Sequence, residues 1–62
     1  MNKQEILESR LYNYKGIIER NNIPETDKIE LRVKYCNAVE LMQKEGYRVP
    51  EDYLTFYKRL RT

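Results

Sequence analysis

Asp27–Glu45, DKIELRVKYCNAVELMQKE, decides how this chain folds. Leu31, Tyr35, Ala38 and Met42 follow one another at spacings of 4, 3 and 4 residues, with Val39 and Leu41 alongside. That period marks an amphipathic helix. Ile29, Val33 and Cys36 form a second apolar stripe. At 100° per residue it is centred roughly 170° from the first. A helix with two nearly opposed apolar sides needs a neighbour on each. Two arrangements meet that need. The helices before and after can sandwich this one, or one stripe can stay open for a second copy or a partner helix.

Outward from this segment, the chain punctuates itself. Upstream, Asn21-Asn22-Ile23-Pro24-Glu25-Thr26-Asp27 is a stop and restart. Asn tolerates the left-handed conformation that ends a helix, and Pro24 cannot continue one. Thr26 or Asp27 is then placed to cap the second helix, with Glu25, Asp27 and Glu30 favourable to its dipole. Downstream, Gly46 ends the helix, and Pro50-Glu51-Asp52 reads as a helix start with Pro at the first helical position.

Two flanking helices follow. Lys3–Arg20 carries Leu7, Leu11, Tyr14 and Ile18, widened by Ile6 and Ile17, in an arc of roughly 140°. Gly16 interrupts it at a cost of about 1 kcal/mol relative to Ala, which suggests a point where another backbone comes close. Pro50–Arg61 gathers Tyr53, Phe56, Tyr57 and Leu60 within roughly 100°. The expected fold is therefore all-α: one domain over residues 1–62, an antiparallel hairpin of Lys3–Arg20 and Asp27–Glu45 plus a shorter C-terminal helix.

Composition narrows function mainly by exclusion. The 62 residues include no His, one Cys and two Gly, but six Tyr. Without His, one thiol cannot build a zinc site or an activated nucleophile, and it cannot close an internal disulfide. No cofactor, metal site or enzymatic activity is expected. Cys36, on an apolar stripe, reads as an inert buried thiol. No apolar run approaches the roughly 20 residues of a membrane span. The polar start Met1-Asn2-Lys3-Gln4-Glu5 does not resemble a signal peptide, so the cytoplasm is the expected compartment. The weight of Lys, Asn, Ile, Tyr and Glu is what an AT-rich genome encodes, as in a low-GC bacterium or its phage.

A domain this short buries only about 60% of its unfolded surface, and a partner or second copy is the support left to it. Tyr14, Tyr35, Tyr53 and Tyr57 fall on core stripes. Tyr12 points away from its helix's core arc and Tyr47 lies in a connection, which makes both contact candidates together with Ile29, Val33 and Cys36. The expected function is a protein–protein interaction module, a small regulator, inhibitor or adaptor, acting with a protein partner or as a homodimer.

A second reading comes from Lys44, Arg48, Lys58, Arg59 and Arg61, which would form a phosphate-binding cluster in a dimeric nucleic-acid-binding protein if helices two and three end side by side. A net charge of +2, from 12 basic and 10 acidic residues, gives that reading little electrostatic footing. Glu51 and Asp52 also open the third helix where base-reading residues would sit. Cations collect at helix C-termini for dipole reasons alone.

Overall fold

A computed structural model describes residues 2–20 and 22–61. It contains three helices, α1 (Lys3–Arg20), α2 (Glu25–Lys44) and α3 (Glu51–Arg61), and no strand among the described residues. None of these helices is long and apolar enough to cross a membrane.

Each helix end has a local cause. Asn2 caps α1: its Oδ1 accepts the Glu5 N–H at 2.9 Å and its carbonyl accepts the Ile6 N–H at 3.2 Å. Asn21, part of the sequence signal for the end of α1, lies outside the described residues. α2 begins at Glu25, two residues before the expected start, and neither Thr26 nor Asp27 caps it. Pro24 holds the cap position instead, with φ −57° and ψ 148°, and its carbonyl accepts the Lys28 N–H at 3.0 Å. Its ring fixes the φ a helix needs while the extended ψ turns the chain into the first turn. That leaves Glu25 and Asp27 inside the helix, where they act on the dipole. Pro50 is likewise a cap and not a first helical residue, with its carbonyl accepting the Leu54 N–H at 3.0 Å.

At the other end of α2, Gly46 adopts φ 82°. The Tyr47 N–H then reaches the Met42 carbonyl at 2.8 Å and the Gly46 N–H reaches Gln43 at 3.1 Å. This doubly bonded closure requires a left-handed residue, which is why Gly stands there.

α1 and α2 form the expected antiparallel hairpin and pack most closely. Lys3 Nζ donates to Glu45 Oε1 at 2.7 Å, joining the start of α1 to the end of α2. Leu7, Leu11 and Ile18 bury against Tyr35, Ala38, Val39 and Met42. Of the apolar residues expected on the core side of α1, Ile6 is left 39% exposed, because it sits at the margin of the arc.

α3 departs from a simple parallel stack. Asp52 and Tyr53 at its start share a groove with Lys15 and Glu19 of α1, whereas Tyr57 and Arg61 near its end reach Glu40 of α2. The helix therefore lies across the hairpin, and Tyr47 and Val49 of the connection pack half-buried against the core. Phe56 anchors it, edge-on to Tyr35 with ring centroids 5.1 Å apart and Lys15 Nζ 5.3 Å above the Phe56 ring.

Tyr35 is fully buried and donates its hydroxyl to the Tyr53 carbonyl at 2.7 Å. Burial, with a smaller contribution from nearby Tyr53, pushes its phenol well above the ordinary value near 10. The unfolded chain ionises Tyr35 near pH 10 while the folded chain keeps the proton, so this contribution to stability is intact below about pH 10 and declines above it. Thermal melts between about pH 9 and about pH 11 should show a steeper fall for the wild type than for Tyr35→Phe. Parallel falls would contradict this role.

Candidate interaction surface

The second stripe of α2 remains largely uncovered. Ile29 is 52% and Val33 53% exposed, while Leu31 and Leu41 on the other side are half-buried and Tyr35, Ala38, Val39 and Met42 are buried. The sandwich arrangement therefore does not form along the N-terminal half of this face: α3 meets α2 through Tyr35 and Glu40 and leaves Ile29 and Val33 bare. Cys36, third member of the stripe, is partly covered. Burial pushes its thiol upward, Glu40 adds to the rise, and Arg61 opposes it. A thiol shifted in that direction is a poor nucleophile at neutral pH.

The stripe ends at a polar clasp. Arg61 Nη1 lies 2.9 Å from Glu40 Oε2 and 2.8 Å from Tyr57 Oη, and Tyr57 donates to the same Glu40 oxygen at 2.8 Å. The Tyr57 hydroxyl, followed by Glu40, holds Arg61 further in its charged form. The clasp is exposed, so it serves to orient groups more than to stabilise the fold. At the other side of the stripe Glu30 and Lys34 pair at 3.3 Å.

The remaining candidates are dispersed. Tyr47 packs half-buried against the core and does not join the Ile29–Val33 face. Tyr12 is 70% exposed on α1. It lines an open groove of about 710 Å³ with Gly16, Arg20, Asp52 and Tyr53. The close backbone approach expected at Gly16 is absent, since a Cβ added there would meet nothing within 4 Å. Gly16 lies on the side of α1 turned away from Leu7, Leu11 and Ile18, where Asp52 and Tyr53 of α3 line the groove without coming within 4 Å of an added Cβ.

Two of the five cations diverge. Arg61 is taken up by Glu40, while Arg59 lines a separate cleft with Lys15, Glu19 and Asp52. Positions 59 and 61 of a helix point to opposite sides. Lys44, Arg48 and Lys58 are exposed. Among the described residues, no group of three His, Cys, Asp or Glu is placed to hold a metal.

The Tyr12–Gly16 groove was not singled out by sequence reasoning. A helix-interior Gly four residues after an outward-pointing Tyr was the available signal. The chain matches no protein-family model, no curated protein and no solved structure.

Proposed function

We propose that this protein is a non-enzymatic protein–protein interaction module, a small regulator, inhibitor or adaptor, that offers the outward face of α2 to a helix of a protein partner. The observation that carries the reading is the half-exposure of Ile29 and Val33, two apolar residues one helical turn apart, in a domain that buries its other α2 stripe. Arg32, Glu40 and Lys44 surround them with mixed charge, the usual rim of an interface.

Magnitudes suggest a modest anchor. Full burial of an aliphatic side chain contributes about 1.5–3 kcal/mol. Covering the exposed halves of Ile29 and Val33 therefore supplies about 2 kcal/mol together. Micromolar affinity needs about 8 kcal/mol, so a partner must also engage the rim. The divergence of Arg59 and Arg61, with Arg61 engaged by Glu40, weighs against the duplex-binding alternative.

Val33→Glu tests the reading. Val33 is exposed, so helicity and melting should stay within about 0.5 kcal/mol of wild type. A charge desolvated without a partner at an interface costs about 3–5 kcal/mol, so binding should fall at least about hundredfold. In a nuclease-treated bacterial lysate, the wild type should retain a protein that Val33→Glu does not. Bound material lost from both on nuclease treatment would favour nucleic acid instead.

A further inference from the structure

We infer that the outer surface of α1 is a self-association site, where a second copy of this chain crosses at Gly16 and each Tyr12 receives the other copy's Arg20. This contact goes beyond the partner face on α2 and does not rest on it. Tyr12, Gly16 and Arg20 stand four residues apart and form one ridge on the helix. The ridge faces away from the buried Leu7, Leu11 and Ile18, and Tyr12 is 70% exposed.

The folded monomer gives Gly16 no steric reason to lack a side chain, since an added Cβ meets nothing within 4 Å. Ala would suit the helix better. A bare backbone at half-buried Gly16, between exposed Tyr12 and Arg20, instead lets another helix approach more closely than side chains normally allow.

The symmetry of the ridge selects a second copy as the occupant. Tyr12 precedes Gly16 by four residues and Arg20 follows it by four. A two-fold axis through Gly16 that reverses the ridge therefore brings each Arg20 onto the other copy's Tyr12, twice over. An arginine over a tyrosine ring is attractive. The opposite orientation would set Arg20 against Arg20. Arg20 makes no ion pair among the described residues, and Asp52 lines the same groove, adding a carboxylate where the incoming cation arrives. The crossing leaves Ile29 and Val33 facing outward on both copies, so the dimer would present its partner face twice.

A single helix crossing is a small interface, so dissociation constants on the order of 100 μM are expected, near 5.5 kcal/mol of affinity. Sedimentation equilibrium of the full chain, up to roughly 1 mM, should show a dimer for the wild type. Gly16→Leu and Arg20→Glu should each weaken it at least about tenfold while circular dichroism stays helical. The melting midpoint should not fall for Gly16→Leu, and for Arg20→Glu, whose charge sits in the last turn of α1, it should fall by no more than about 10 °C. The double exchange Tyr12→Arg with Arg20→Tyr should restore it, and Val33→Glu should leave it at the wild-type constant. A wild type that remains monomeric at the highest concentration overturns the proposal. So does a Gly16→Leu or Arg20→Glu dimer of undiminished strength, or a dimer abolished by Val33→Glu, which would move self-association to α2.

Discussion

Replacing Phe56 with Ala should detach α3 from the hairpin. Phe56 is the buried residue of α3 among those described. It holds the helix through its edge-on contact with Tyr35 and the Lys15 ammonium above it. Truncating a buried phenylalanine to alanine costs about 3–5 kcal/mol. What remains is the half-buried packing of Tyr53, Leu54, Tyr57 and Leu60, the Tyr35–Tyr53 hydrogen bond and the exposed Arg61–Glu40 pair, the last worth about 0–1 kcal/mol. An eleven-residue helix does not persist alone in water. Its release would also bare Tyr35 and Val39, both fully buried in the native fold. Far-ultraviolet circular dichroism should lose the helical signal of α3. At about 4–8 °C per kcal/mol for a domain of this size, the melting midpoint should fall by more than about 10 °C. A variant melting within about 5 °C of wild type would show that α3 is held by something else.

Leu11→Ala should take most of the domain's stability and lower its urea midpoint strongly. Leu11 is fully buried where α1 meets α2, and such truncations cost about 2–5 kcal/mol. A core of this size supplies only about 3–5 kcal/mol in total, so the loss approaches the whole stability of the domain. Leu11→Met, which conserves volume, should cost less than about 1.5 kcal/mol and keep the fold. The adjacent residue provides the control. Tyr12 is 70% exposed, and Tyr12→Ala should change stability by less than about 0.5 kcal/mol. Urea titrations of the three variants settle the comparison. A cooperative transition for Leu11→Ala with an undiminished midpoint would mean that the α1–α2 seam is not the stabilising contact.

Much of the architecture was legible because helices are local objects. The boundaries of α1 follow from its apolar period and the Asn and Pro stop signal after it, and the hairpin follows from the short connection through Pro24. The stripe of Leu31, Tyr35, Ala38 and Met42 was readable as the core side because it continues through Val39 and Leu41. The cap errors were one or two residues long. Pro24 reads in the sequence as a breaker after α1, with Thr26 or Asp27 as the next cap, and Pro50 as a first helical residue, whereas each proline instead supplies the carbonyl that precedes its helix.

The candidate surfaces divide along the same line. That Ile29, Val33 and Cys36 form an apolar stripe, and that Tyr12 points away from the core, are facts of residue spacing along a helix. Tertiary structure alone decided that Ile29 and Val33 stay open while Cys36 is partly covered, that Gly16 faces no neighbour, and that Arg59 and Arg61 are drawn to different helices. Those outcomes depend on where α3 lands across the hairpin. The landing is set by the path of the connection over residues 45–50 and the seat of Phe56 against Tyr35, contacts between residues far apart in the chain that no local period encodes.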